Sequence, residues 1–355
     1  MTPNDREQKV TALIDKLCLT PKLKRSEWIT IIRERTPAAA EHLFELARAV
    51  RIHHYGHDIY IRGLIEFTNY CRNDCYYCGI RKSNANALRY RLSKEDILTC
   101  CKEGYRLGFR TFVLQGGEDG WFTDERLCDI VSAIRAQFPD CAITLSVGER
   151  SYDSYKRLYD AGADRYLLRH ETYDEKHYSR LHPPQLSATH RKQCLWNLKK
   201  IGYQVGTGFM VGSPYQTPEN LADDMLFLAK LNPQMVGIGP FIPHHETPFA
   251  RMPGGTAELT VYMLGLIRLL LPRVLLPATT ALGTIAEDGR EKGILAGANV
   301  IMPNLSPAQV REKYLLYDNK LCTGDEAAES LNHLRERMEK IGYHIAVSRG
   351  DSLNI

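Results

Sequence analysis

The 355-residue chain is 44% hydrophobic and 25% charged, the balance of a globular protein and not of a disordered one. Its formal net charge of +4 is small and its Lys and Arg form no basic run, so composition gives no argument for nucleic acid. Residues 1–10 are polar, unlike a secretory leader, and the most apolar stretch, 261–283, is interrupted by Arg268, Pro272 and Arg273; a soluble, cytoplasmic chain with no membrane partner is expected.

Helical apolar spacing runs over 5–17, 26–35 and 38–50, with Pro37 as a breaker, so residues 1–57 are expected to form an N-terminal helical region. From residue 58 the pattern alternates. Eight β-rich runs stand at 64–68, 111–115, 142–147, 165–169, 205–211, 236–242, 274–278 and 299–302. Helical segments separate them at 94–107, 124–138, 151–160, 189–201, 218–231, 257–271 and 288–296, and a last helix is expected at 325–341. Alternation of β and α predicts a parallel sheet, since parallel strands need a crossover between them. Eight units predict an α/β fold of the (β/α)8 TIM-barrel type over 58–305, with 306–355 as a short C-terminal region closing the barrel; an open doubly wound sheet is the alternative. Gly104, Gly108, Gly162, Gly202 and Gly297 stand near helix ends, where glycine takes the left-handed conformation, and Thr217 with Pro218 reads as a helix start. In a barrel of this type the active site lies at the C-terminal ends of the strands.

Of ten cysteines, three are clustered after the first run, in NYCRNDCYYCGIR (69–81). Cys71, Cys75 and Cys78 have the spacing Cys-x3-Cys-x2-Cys, and three thiolates so close can converge on one metal centre. A 4Fe–4S cluster normally takes four cysteines. No fourth stands nearby, which leaves one iron open to an exogenous ligand. A structural zinc site would want a second ligand pair that is missing, and the polar Arg72, Asn73 and Asp74 argue against three unrelated buried thiols. After the second run, QGGEDG (115–120) has glycines that let backbone approach a ligand. After the fourth, RYLLRHET (165–172) puts Arg169 and Glu171 on one side if period two holds.

The triad at the end of a first barrel strand resembles the radical S-adenosylmethionine (SAM) superfamily. That resemblance implies one 4Fe–4S cluster whose open iron is chelated by SAM, and an external one-electron donor. It assigns Tyr77 to the adenine edge and Gly116, Gly117 and Glu118 to the methionine amino group. Arg169 and Glu171 would then serve the SAM pocket, and Arg191 would pair with the methionine carboxylate in a fork geometry.

Taken together, NYCRNDCYYCGIR, RYLLRHET, MVGIGPFIPHHETP, PATTALGTI and GANVIMPN resemble the FeFe-hydrogenase maturase HydE family. This implies SAM contacts at Tyr77, Gln115, Glu171, Arg191, Met302, Tyr314 and Leu316, with Thr279 and Thr280 near the substrate. It implies an organometallic substrate carrying iron, CO, cyanide and cysteine, in assembly of the diiron subcluster with other hydrogenase maturases. Some relatives carry a second cluster on three further cysteines. Here Cys322 matches the first, but Ser330 and His333 stand at the next two positions, so a single cluster is expected.

Related enzymes give the rival readings. Biotin synthase needs extra cysteines on barrel strands; here Cys141 precedes its strand and Cys128 and Cys194 fall in helices. Methylornithine synthase isomerises lysine, and the charged residues at the barrel mouth leave that open. A non-enzymatic iron–sulfur scaffold would need no SAM pocket. A zinc hydrolase would draw on His170, His182, His244 or His245, but adjacent histidines on a strand face opposite ways.

Overall fold

The structure is a computed structural model and describes residues 3–321 and 328–354. It opens with helices α1 (Pro3–Leu19), α2 (Arg25–Arg33) and α3 (Pro37–Tyr55). Thr36 caps α3 by accepting from the Ala39 N–H, and Pro37 sits in the first turn, so the expected breaker also starts a helix.

The strands are β1 (Asp58–Ile61), β2 (Gly63–Thr68), β3 (Thr111–Gly116), β4 (Ala142–Ser146), β5 (Arg165–Leu167), β6 (Gln204–Thr207), β7 (Met210–Val211), β8 (Met235–Val236), β9 (Gly239–Pro240), β10 (Val300–Ile301) and β11 (His344–Ala346). One parallel sheet runs β2-β3-β4-β5-β6-β8. It continues through single parallel bridges, Met235 to Leu275, Pro277 to Val300 and Asn304 to Leu64, and so returns to its first strand. The chain is therefore a closed barrel and not an open sheet. Three staves are less regular than expected. The run at 274–278 forms bridges and no ladder, and Pro277 there has no N–H to donate. The runs at 205–211 and 236–242 each break in two because Gly208 and Gly237 touch. A Cβ on Gly208, whose φ is +156°, would lie 1.9 Å from the Gly237 carbonyl oxygen.

The crossover helices are α4 (Lys94–Arg106), α5 (Asp124–Gln137), α6 (Tyr152–Asp160), α7 (Glu175–Leu181), α8 (Ala188–Ile201), α9 (Pro218–Leu231), α10 (Ala257–Leu270), α11 (Thr280–Ile285) and α12 (Gly289–Leu295), followed by α13 (Ala308–Arg311) and α14 (Leu331–Lys340). The short α7, α11 and α13 carry too few turns to show an apolar period, and the sequence reading missed them. The expected start of the last helix at Asp325 lies outside the described residues. Gly108, Gly162, Gly202 and Gly297 have φ between +99° and +116°, as helix ends require. Gly104 does not: it lies inside α4, where a Cβ would meet a Leu305 methyl at 2.5 Å, so close packing and not backbone freedom selects it.

The apolar stretch near 261–283 is core. Every residue of α10 from Thr260 to Leu270 is buried, and Gly265 lets the helix lie against Leu43 of α3. Arg268 is buried too, and donates to the carbonyls of Gly297, Pro272 and Val274 at 2.8–2.9 Å. At about 1.5 Å per residue α10 is about 21 Å long, short of the ~30 Å of a bilayer core. No helix among the described residues is long and apolar enough to cross a membrane.

The segment after β10 divides between the two ends of the barrel. Residues 306–321 lie over the C-terminal strand ends, where Leu316 accepts from the Gly79 N–H. The tail turns to the other end: β11 pairs with β1, and Arg349 O accepts from Thr111, the first residue of β3. Asp351 receives Arg165 at 2.6 Å, Arg349 at 3.0 Å and Gln204 at 3.0 Å. Burial alone would raise this carboxyl's pKa, but these donors outweigh it and hold the group well below the usual carboxylate range. Such a group stabilises the fold above its unfolded pKa of about 3.9 and loses that contribution as pH falls. Asp351→Ala, which strands the buried Arg165, should cost about 1–3 kcal/mol in urea melts at pH 7. The gap from the parent protein should begin to close below about pH 4; a gap constant down to pH 2 would show that the carboxylate's charge is not what matters.

Candidate active site

The cluster loop leaves β2 and is held by backbone contact. Arg72 N–H donates to the Glu118 carbonyl at 2.9 Å, tying the loop to the end of β3. Gly117 makes this approach possible: a Cβ there would lie 2.2 Å from the Tyr70 carbonyl oxygen and 2.8 Å from the Cys71 Cβ. The loop also closes on itself, with Asp74 accepting from Arg81 at 2.7 Å and from the Ser83 N–H at 3.0 Å.

The three thiols share one environment. Burial, with Cys71 alongside, pushes the Cys78 thiol up to about 12. Burial and the other two sulfurs push Cys75 well above its ordinary value. Burial raises Cys71 as well, partly offset by the N–H groups of Asn73 and Glu118. Each thiol makes the next harder to ionise, so a strongly cationic centre is what would bring them together as thiolates.

Every residue assigned from sequence to the cluster, SAM or the substrate lines one cavity of about 340 Å3 at the C-terminal strand ends: Cys71, Cys75, Tyr77, Cys78, Gln115, Gly116, Gly117, Glu118, Arg169, Glu171, Arg191, Thr279, Thr280, Met302, Tyr314 and Leu316. Arg169 Nη2 and Glu171 Oε2 approach to 3.1 Å but without hydrogen-bond alignment, and both atoms are buried with no hydrogen-bond partner. Arg169 Nε and Thr279 Oγ1 are in the same condition. Glu171 has a φ of +66°, a left-handed conformation rare outside glycine and asparagine. Its N–H donates to the Gly208 carbonyl at 3.1 Å, so the kinked stave holds the strained residue facing the cavity. Arg191, on α8, donates from Nε to the Arg169 carbonyl at 2.5 Å and from Nη1 to Glu149 Oε1 at 2.8 Å.

Two residues do less in the cavity than their motifs suggest. The Glu118 carboxylate is engaged by the Arg72 guanidinium (3.0 Å) and the Glu149 N–H (3.1 Å), tucked where Gly148 has no side chain. What it offers a ligand is chiefly backbone. The phenol of Tyr77 meets His182 Nε2 at 3.1 Å, and His182 Nδ1 meets the Tyr178 carbonyl at 3.0 Å. Burial drives the His182 pKa down to about 3, so it is neutral, protonated on Nδ1, and accepts from Tyr77. The polar tip of Tyr77 is occupied and its ring face remains.

The sequence reading missed Glu66 and Lys320, which also line the cavity. Lys320 donates to Glu66 at 2.6 Å, both side chains buried, and Asn304 donates to the other carboxylate oxygen at 2.9 Å. A Glu inside an otherwise apolar strand was the available signal. The histidines of the zinc alternative are spoken for. His170 lies between Thr207 (2.9 Å) and Asp224 (3.2 Å); burial pushes the His170 pKa down to about 3 and pushes that of Asp224 up, disfavouring the charged form of each. His244 and His245 stand in a loop after β9, where adjacent side chains can converge: their rings stack at 4.6 Å, and His245 reaches Asp318 at 2.6 Å. The Glu246 N–H donates to His244 Nδ1, which leaves the ring's proton on Nε2.

The comparisons with known proteins agree with this geometry. The model of the Radical SAM superfamily matches residues 65–228. Over 302 residues the chain is 44% identical to the [FeFe] hydrogenase maturase subunit HydE of Thermotoga maritima, covering 85% of this chain and 86% of that protein. The chain belongs to the HydE family of radical SAM enzymes. A methylornithine synthase structure (PylB) superposes with a TM-score of 0.83 at 26% identity, covering 94% of this chain and 97% of that one. A HydG maturase structure gives 0.81 at 18%, over 96% of this chain and 76% of that one, a likeness of fold alone. The HydE family implies a 4Fe–4S cluster and SAM. The residues present fit both: three half-buried thiols lining one cavity suit a cluster with an open iron, and the Arg169–Glu171 pair, whose facing atoms make no hydrogen bond, suits the charged ends of an amino acid. Gly117→Ala should therefore cost the cluster without removing any of its three cysteines, because the added Cβ would press on Tyr70 and Cys71. After anaerobic reconstitution it should hold under half the iron of the parent protein; full iron loading would show that the loop shifts freely.

Proposed function

We propose that this chain cleaves SAM reductively and acts on an iron–CO–cyanide–cysteine complex in building the diiron subcluster of the [FeFe]-hydrogenase active site. The observation that carries the reading is the single cavity joining the three thiols to Arg169, Glu171, Thr279 and Thr280. A scaffold that only stored a cluster would have no use for the Thr279 hydroxyl buried without a hydrogen-bond partner, which costs about 1–3 kcal/mol when left so, or for an Arg169–Glu171 ion pair whose facing atoms make no hydrogen bond.

Cys71, Cys75 and Cys78 would hold one 4Fe–4S cluster, and Gly116, Gly117, Gln115, Glu171, Arg191, Met302, Tyr314 and Leu316 would hold SAM. Bound there, the cluster and SAM would supply one-electron cleavage of the sulfonium to methionine and a 5′-deoxyadenosyl radical. The protein's part is orientation and exclusion of water. Glu149 fixes Arg191, and Arg191 in turn fixes the Arg169 carbonyl, so the cationic side of the pocket is set before a ligand enters. The Tyr77–His182 pair keeps the ring face turned to the cavity. Lys320, held by Glu66, keeps residues 314–320 over the pocket. Thr279, with an unpartnered hydroxyl, is the substrate-side donor or acceptor. An external one-electron donor and other hydrogenase maturases are the implied partners. Because Ser330 and His333 stand where further cysteines would be needed, one cluster per chain is proposed; Cys322 itself lies outside the described residues.

The test is anaerobic reconstitution, reduction with dithionite in the presence of SAM, and measurement of 5′-deoxyadenosine. About four irons per chain and product formation are expected; about eight irons would sink the single-cluster reading. Cys75→Ala should lose both cluster and product. Glu171→Ala should keep the iron while SAM binding weakens by roughly tenfold or more, the loss of one charge-assisted contact. The similarity to methylornithine synthase calls for a second arm, in which lysine replaces the iron complex. Methylornithine appearing there would overturn the maturase assignment and leave SAM cleavage standing.

A further inference from the structure

An electron must reach the cluster from outside, and the surface beside the cluster loop is unusual. Tyr70, the residue before the first cluster cysteine, is 36% exposed, Trp121 42% and Leu88 70%. They come from three separate turns of chain and are gathered by specific contacts. The Leu88 carbonyl accepts from Asn69 at 2.9 Å. The Arg91 guanidinium lies 3.8 Å over the Tyr70 ring and 5.7 Å from that of Trp121, and Arg126 lies 3.9 Å over the Trp121 ring. The result is a layered face of arginine and aromatic rings.

The charges of this face are sorted by depth. Asp119 binds Arg91 through both oxygens, at 2.6 and 2.9 Å, and also accepts from Thr68 and the Trp121 N–H. The Asp119 side chain is 4% exposed and that of Arg91 32%. Glu118 is 10% exposed and its partner Arg72 65%. In both pairs the carboxylate lies beneath and the cation meets solvent, so a partner surface would meet arginine. Arginine, tyrosine and tryptophan on a partly apolar face are what protein interfaces concentrate at their centres. The distance to the cluster site is short: the Tyr70 carbonyl and Cys71 Cβ pack together against Gly117.

We propose that the Tyr70–Leu88–Trp121 face, rimmed by Arg72, Arg91 and Arg126, docks an acidic electron-transfer protein. The inference rests on the SAM-cleaving reading. The carrier is oxidised by one electron, the cluster is reduced by one, and that electron is consumed when the sulfonium C–S bond breaks. Short-lived docking by opposite charge suits a donor that must leave after each transfer.

The experiment uses the cluster-loaded protein and a reduced acidic ferredoxin as probe. Its dissociation constant is measured by calorimetry at rising salt, with the parent protein, Arg126→Glu and Trp121→Ala. Ferredoxin-driven and dithionite-driven 5′-deoxyadenosine formation are measured alongside. Binding that weakens with salt is expected, with affinity lowered by roughly tenfold in each variant. The ferredoxin-driven rate should fall with it and the dithionite-driven rate should not. Unchanged binding and unchanged ferredoxin-driven rates in both variants would overturn the proposal. So would a dimer of the parent chain that Arg126→Glu separates, which would make the face a contact between copies. Absence of product with dithionite in the parent protein would instead remove the SAM-cleaving reading on which the proposal stands, a result distinct from either.

Discussion

The site depends on the Arg89 guanidinium. It donates to the carbonyls of Asn69, Ile80, Arg81 and Asn84, and so gathers the two ends of the cluster loop around one cation. The loop has no strand or helix to satisfy its backbone, and buried carbonyls without partners are costly. The three thiols cannot organise it either, since burial disfavours their ionisation until a metal is present. Asn69 completes the arrangement from the β2 side, donating to the carbonyls of Leu88 and Lys313 and accepting from the Tyr90 N–H. The cysteines are thus brought together by neighbours that do not bind metal, and the loop is shaped before it is filled.

From that loop the constraint passes to the barrel. Gly117 must lack a side chain for β3 to meet the loop, Gly148 must lack one for the Glu118 carboxylate to fold away, and Gly208 must lack one for its stave to kink against Gly237. The kink carries the strained Glu171. Each of these positions exchanges regular sheet for the placement of one group at the cavity mouth. At the opposite end Thr111, Arg165 and Gln204 begin their strands under the C-terminal tail, bonded to Arg349 and Asp351. That end is tied together by these tail contacts, while the positions that shape the cavity lie at the C-terminal ends of the strands.

What could be read from sequence was what local spacing carries. The triad is legible because its ligands lie within eight residues, and the barrel because each βα unit is itself a local pattern. The candidate residues at strand ends line one cavity because in a closed barrel every strand end faces the same mouth; Arg191, on α8, and Tyr314 and Leu316, beyond β10, line it too but were named only through the family resemblance. What escaped was long-range or fine. Glu66 and Lys320 are 254 residues apart, and nothing in either neighbourhood names the other. The stave at 274–278 has strand composition but forms bridges only, since Pro277 removes a donor. The occupied tip of Tyr77 depends on His182, a partner 105 residues away whose tautomer is set by a helix carbonyl. Gly104 was misread because a glycine near a helix end has two explanations, backbone and packing, and only the position of Leu305 separates them.

The separation of ends bears on how the enzyme can be fed. With the tail across the N-terminal ends of the strands, a ligand of SAM's size must enter at the C-terminal ends, where residues 314–320 lie over the pocket. The Lys320–Glu66 pair that holds this strap is buried, and breaking it would leave a carboxylate and an ammonium in a poorly solvated cavity, a change that typically costs ~3–5 kcal/mol when one partner is lost. Opening by rupture of that pair is therefore expensive, and the strap's movement is better confined to residues on either side of it. The aromatic–arginine face lies next to Tyr70 and Cys71, and Asn69 ties it to the start of the strap by donating to the carbonyls of both Leu88 and Lys313. A carrier seated there would lie against the cluster loop and close to the strap that covers the pocket, since Leu316 of the strap also accepts from the Gly79 N–H of the loop.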